Sequence, residues 1–286
     1  MLRSLITVNA DDFGLHEAVN EGIVRSHREG IVTSASLMAC GKAFEDALRR
    51  CRSCPELDVG IHLTLVEEQP ISPVEKVPSL INQDGSMPRS YTAFARGWLM
   101  GKIRERDVRC ELDAQINRLL DGGIRPTHLD SHQHVHCLPG VWNITLDIAK
   151  KHGIPYVRIP IFDSLWAEAT APIVPVIRAA VNLMAFLRRM TEIKPVRCAD
   201  QFRGFAFSGR LTTERLLAIL DTLRPGLTEV MVHPGLPDED LQHRYRHWGF
   251  KWEAEFRALT DPLVIARCQR RDFTLTSFAR SAPNGN

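Results

Sequence analysis

Short apolar runs of strand length alternate with amphipathic stretches of helical period along most of the 286 residues. Leu5–Val8, Ile31–Met38, Asp58–Leu65, Tyr156–Pro160, Glu229–His233 and Phe273–Thr276 read as strands: each is brief, largely apolar and closed by turn formers or polar residues. Between them, Glu17–Glu29, Phe44–Cys51, Val108–Leu120, Trp142–Lys151 and Thr212–Leu223 repeat apolar side chains at the spacing of one helix face. Gly30 and the Gly122-Gly123 pair follow two of these, where helices commonly stop. A further strand begins after Pro126, in the run His128-Leu129-Asp130-Ser131-His132-Gln133-His134-Val135-His136. This alternation argues for one α/β domain over residues 1–286, built on a parallel sheet that is either open or closed into a barrel. Two segments, 67–109 and 161–203, break the pattern and read as insertions. Within the second, Val176–Met190 is apolar almost all round, with Arg178, Asn182 and Arg189 on a narrow polar stripe. Such a helix wants cover from the core, from a second subunit or from a membrane surface.

Composition narrows the function classes. A net charge of +2, with no long run of lysine and arginine, gives no footprint for nucleic acid. Seven scattered cysteines argue against a complete disulfide framework, and the lone pair Cys51 and Cys54 reads as surface thiols. The N-terminus lacks the long apolar core of a signal peptide, and no uninterrupted apolar stretch reaches bilayer length. A reducing cytoplasm is the expected compartment.

Chemistry concentrates in the histidine-rich run. Alternate positions share one face of a strand, so His128, Asp130, His132, His134 and His136 would aim metal-capable groups in one direction. Asp11 and Asp12, His62 and His233 also stand where expected strands end. In a parallel barrel those ends share a single rim, the usual place for an active site. Imidazoles and carboxylates together are typical ligands of a catalytic divalent ion. A non-haem iron oxygenase could draw a facial triad from His128, Asp130 and a distant histidine. Such a site is expected on an antiparallel jelly roll, and it leaves Asp11, Asp12 and His62 unused.

The segments VNADDFG (8–14), GIHLTL (60–65), THLDSHQHVH (127–136) and VMVHPG (230–235) resemble the signature segments of the YdjC-like carbohydrate deacetylases, in the same order. The resemblance implies a seven- or eight-stranded α/β barrel that removes acetyl groups from N-acetylated sugars. It implies one divalent metal ion, zinc or magnesium first and manganese, iron or cobalt as alternatives, held by Asp12, His62 and His132. Asp11 becomes the base that takes the water proton, and His233 the acid that protonates the leaving amine. Asp130, Arg158 and His136 are expected behind these groups or against substrate, and His128 and His134 receive no fixed role. Length and the apolar insertion resemble the hopanoid-biosynthesis-associated branch. That branch implies an N-acetylglucosaminyl sugar on a membrane lipid, peripheral contact at the inner membrane face and room for a homodimer. A soluble chito-oligosaccharide substrate is the alternative within the family, and a non-catalytic metal- or carbohydrate-binding barrel the alternative outside it.

Overall fold

In a computed structural model, the residues described are 4–160, 196–270 and 272–281. The stretch Val176–Met190, expected to be helical, and most of the second inserted segment lie outside them. The strands are β1 (Ser4–Phe13), β2 (Ser34–Leu37), β3 (Asp58–Leu63), β4 (His128–Ser131), β5 (Tyr156–Val157), β6 (Gln201–Arg203), β7 (Gly226–Val232) and β8 (Phe273–Leu275). They pair in parallel in the order β5-β4-β3-β2-β1-β7-β6. β8 pairs in parallel with Ser4–Ile6 of β1. The two ends of the path approach each other: Arg197, shortly before β6, forms a parallel bridge to Tyr156 of β5. The sheet therefore curls into a partial barrel, the α/β architecture expected from the alternation.

Helices clothe the outside: α1 (Glu17–Arg28), α2 (Phe44–Ser53), α3 (Tyr91–Leu99), α4 (Glu105–Asp121), α5 (Val141–Lys151), α6 (Thr213–Asp221), α7 (Glu239–Arg244), α8 (Trp252–Leu259), α9 (Pro262–Cys268) and α10 (Phe278–Ser281). Among the described residues, no helix is long and apolar enough to cross a membrane.

The two faces of the sheet differ in chemistry, and that difference positions the site. On β1, Ile6, Val8 and Ala10 belong to the main apolar core, as do Val230 and Val232 on β7. The alternate residues point to the other face. There Leu5 packs against a small cluster of Tyr156, Ala199, Leu227 and Phe278 that plugs one end of the curl. Further along the same face, Thr7 contacts Ser34 at 3.2 Å, and the Asn9 amide meets Ser34 and Ser36 at 2.8 Å each. Ser36 in turn donates to Asp130 at 2.8 Å. Every second residue of several strands thus feeds a buried polar ladder that leads up to Asp11. Gly60 of β3 is required on that face, because a Cβ there would stand 2.4 Å from the His128 ring.

Several boundaries differ from the sequence reading. The histidine-rich strand stops at Ser131, and His132–Cys137 is a 3₁₀ segment kinked by left-handed backbone at Gln133 (φ 51°) and His134 (φ 54°). One-face alternation therefore does not extend past β4, and the later histidines go separate ways. β6 falls inside the stretch read as an insertion, while α3 and the start of α4 fall inside the other. Cys51 and Cys54 are buried at 8% and 6% exposure, so they are not surface thiols. Burial, aided by Cys54, pushes the Cys51 thiol up to about 12.

Candidate active site

The site forms where β1, β3, β4 and β7 end. β1 continues through the acidic pair, with a register shift against β2 between Ala10 and Phe13. Asp12 takes a left-handed backbone conformation (φ 64°), which turns it away from its neighbour. The two consecutive carboxylates then face different partners. Asp11 meets the Arg158 guanidinium with both oxygens, at 2.6 and 2.7 Å, and accepts from the Asn9 amide at 2.9 Å. Asp12 Oδ1 lies 3.3 Å from His62 Nε2 and 3.1 Å from His132 Nδ1. One ligand atom from each of Asp12, His62 and His132 falls within 4.8 Å of the others, and all three side chains are buried.

That triad suits a divalent cation. Two imidazoles and a carboxylate form a mixed nitrogen and oxygen donor set, and three protein ligands leave coordination positions for water or substrate. Each histidine also has a carboxylate behind it. His62 Nδ1 is 2.7 Å from Asp130 Oδ1, and His132 Nε2 is 3.2 Å from Glu67 Oε2. Burial alone would raise Asp12 and lower both imidazoles. Mutual attraction outweighs it: Asp12 is held well below the usual carboxylate range, while His62 and His132 are raised to about 10 and about 9.

Behind the triad, Arg158 is buried among three carboxylates. It contacts Asp11, Asp130 at 2.6 Å and Glu229 at 2.6 Å. One guanidinium cannot balance three anions. Burial, with Asp130 and Asp11 nearby, pushes Glu229 up to about 7 even though Arg158 opposes the shift. His136 supports this hub from below: its Nδ1 is 2.5 Å from Ser131 Oγ and its Nε2 is 2.9 Å from the Arg158 carbonyl.

A cavity of about 320 Å³ opens over the triad, within the range of small-molecule sites. Asp11, Asp12, His62, His132, His134 and His233 line it, with Phe205, Met231 and Phe250 as apolar walls. His233 follows β7; its Nδ1 makes no hydrogen bond among the described residues and lies 3.9 Å from Glu255 Oε2. Glu255 instead receives the His233 backbone N–H at 2.5 Å and that of Leu211 at 3.0 Å, which fixes the loop. All the non-glycine residues with positive φ among the described residues are Asp12, Glu67, Gln133 and His134. Each is in the triad, touches it or lines the cavity, so strained backbone gathers at one place.

Of the residues singled out from sequence, Asp11, Asp12, His62, His132 and His233 meet at the cavity, and Asp130 and Arg158 stand directly behind them. His128 is buried deeper, between Ser36 and Thr127, with its ring 4.3 Å from that of Phe278. Sequence reasoning passed over Glu67, Glu229 and Glu255. None stands in a motif, and each is defined by a partner far away along the chain.

The profile of the family described as YdjC-like protein matches residues 5–270. The chain belongs to the YdjC-like family. Among relatives, a carbohydrate deacetylase of Geobacillus stearothermophilus is 33% identical over 274 residues, covering 95% of each chain. A chitooligosaccharide deacetylase of Proteus mirabilis is 29% identical over 96% of this chain and 97% of its own. The fold recurs in an Enterococcus faecalis V583 crystal structure provisionally named for cellobiose-phosphate cleavage, with a TM-score of 0.79 and 28% identity across 97% of this chain and 98% of that one. For this YdjC-like chain, the match spans every strand that carries a cavity residue.

Proposed function

We propose that the chain is a metal-dependent carbohydrate N-deacetylase, acting on an N-acetylglucosaminyl sugar. The observation that carries this reading is the convergence of Asp12, His62 and His132 under a cavity that also presents Asp11 and His233. Relatives named carbohydrate deacetylases agree with it. A divalent ion held by the triad supplies Lewis acidity, lowering the pKa of a water and polarising the acetyl carbonyl.

The remaining work belongs to the chain. Arg158 and Asn9 lock the Asp11 carboxylate in one orientation, and the one remaining lone pair, on Oδ2, can take a proton from water as the oxygen attacks the carbonyl carbon. His233, whose Nδ1 makes no hydrogen bond among the described residues, delivers a proton to the nitrogen as the carbon–nitrogen bond breaks, so that amine and acetate leave. Phe205, Met231 and Phe250 limit bulk water around the developing charge. Asp130, Arg158 and His136 hold the other groups in place without lining the cavity.

A lipid-linked sugar is favoured by one sequence feature, the apolar stretch Val176–Met190. Acetate release is measured from diacetylchitobiose in water and from an N-acetylglucosaminyl-hopanoid in detergent, with Asp11→Asn as control. Release from either substrate that falls about 10²–10⁴-fold in the variant supports the chemistry, and the preferred substrate decides the linkage. No release from either, with zinc, magnesium or manganese supplied, defeats the proposal.

A further inference from the structure

Glu67 belongs to none of the segments that mark the family, yet it joins three parts of the site. It sits four residues after β3, where its backbone takes a left-handed conformation (φ 68°) uncommon for a residue with a Cβ. Its side chain has three partners. His132 Nε2 lies 3.2 Å from Oε2, the Trp248 indole donates to Oε2 at 2.9 Å, and His247 Nε2 lies 3.2 Å from Oε1. The surrounding loop is pinned on both sides, so this is a held position. Glu67 N–H donates to the Pro88 carbonyl at 2.8 Å, and Glu111 receives the N–H groups of Ile71 and Ser72 at 2.9 Å each. Tyr245 donates to the adjacent Glu68 at 3.1 Å, which ties the same C-terminal stretch to the same loop.

We propose that Glu67 is a positioning residue that fixes His132 in its Nε2–H tautomer, leaving Nδ1 as the lone pair offered to a cation, and that it tethers the His247-Trp248 stretch to that ligand. The inference rests on the triad being a cation site, as argued above. A neutral imidazole has one donor and one acceptor nitrogen, and a carboxylate can only accept. Both ring nitrogens of His132 face a carboxylate, Nδ1 at 3.1 Å from Asp12 and Nε2 at 3.2 Å from Glu67; once a cation takes the Nδ1 and Asp12 lone pairs, Glu67 is the acceptor that keeps the ring proton on Nε2. His62 shows the mirrored arrangement: Asp130 holds its Nδ1 and Nε2 faces Asp12. The two ligands thus use opposite ring nitrogens, each set by its own acid.

Zinc affinity of the full chain is measured by competition with a chelating dye, with no sugar present, for wild type, Glu67→Gln and His247→Gln. Glu67→Gln is expected to weaken zinc binding about 10–100-fold, because a neutral amide holds the Nε2 proton less strongly than a carboxylate and puts no negative charge behind the ligand. His247→Gln removes a partner of Glu67 that does not touch His132, and should stay within about threefold of wild type. Ring nitrogen NMR of the zinc-loaded wild type should show His132 protonated at Nε2. Equal zinc affinity in wild type and Glu67→Gln overturns the inference, as do equal losses in both variants or an Nδ1–H tautomer. Wild type that binds no zinc overturns this inference and the cation site together, whereas zinc binding without acetate release overturns only the deacetylase reading.

Discussion

Replacing Glu229 by glutamine should make the protein more stable at pH 8, although it removes a buried ion pair. Glu229 lies on the inner face of β7 at 1% exposure, with Oε1 2.6 Å from Arg158 Nε. Arg158 already serves Asp11 and Asp130, so a third carboxylate gains too little attraction to offset its own burial. Its pKa rises from the ordinary 4.5 to about 7. The folded protein therefore keeps a proton on Glu229 that the unfolded chain releases above about pH 4.5, and stability from this group falls as pH rises from there to about 7. At about 1.4 kcal/mol for each pH unit crossed, the loss is about 3 kcal/mol, complete near pH 7 and constant above. Glutamine cannot ionise, and its amide oxygen can still accept from Arg158 Nε. Urea unfolding of both proteins at several pH values between 4.5 and 8.5 measures the difference. The variant should match wild type near pH 4.5 and exceed it by about 3 kcal/mol at pH 8. Parallel pH profiles, or a variant that falls behind at pH 8, would refute the view of Arg158 as an overdrawn counter-ion.

Two further expectations concern metal and thiol. Zinc supplied at about 100 times its Kd should stabilise the wild type by about 2.7 kcal/mol, and a chelator should reverse the gain. Asp12→Asn should lose most of that response in a thermal melt; an unchanged response would place the ion elsewhere. With Cys51 pushed up to about 12, about one thiol in ten thousand is ionised at pH 8. Cys51 should resist iodoacetamide in the folded protein and react after urea is added, as read by peptide mass spectrometry; labelling at the rate of a free cysteine in the native state would contradict its burial.

Much of this architecture is legible in sequence because parallel strands in a curled sheet leave strong local signals. Leu5–Val8, Asp58–Leu65 and Glu229–His233 are continuous apolar or alternating runs, and their polar ends could be assigned to one rim before any coordinates. β6 escaped notice because three residues with Phe202 alone buried carry no periodicity. The kink at Gln133 and His134 escaped for another reason. Alternating histidines look the same whether the backbone stays extended or turns left-handed, and tertiary contacts such as Gln133 accepting from the Tyr91 N–H decide. Asp11 and Asp12 could be expected to divide their work only if they diverged, and the positive φ that separates them has no residue signature. Glu67, Glu229 and Glu255 owe their roles to partners 65, 71 and 22 residues away, and a single sequence does not record such distances.

The wide spacing of the contacts around the triad has a consequence for how the molecule is made. Asp12 and His132 are 120 residues apart, Asp11 and Arg158 147, and Glu67 and Trp248 181. Closing loops of that size is the slow part of assembling such a topology, so a cation held by the proposed triad would find its residues together later than in a short metal finger. During synthesis, Asp12, His62 and His132 emerge well before the stretch that holds His247 and Trp248. The growing chain can therefore hold all three proposed ligands while Glu67 still waits for part of its clamp, which is complete only when the stretch with His247 and Trp248 has docked.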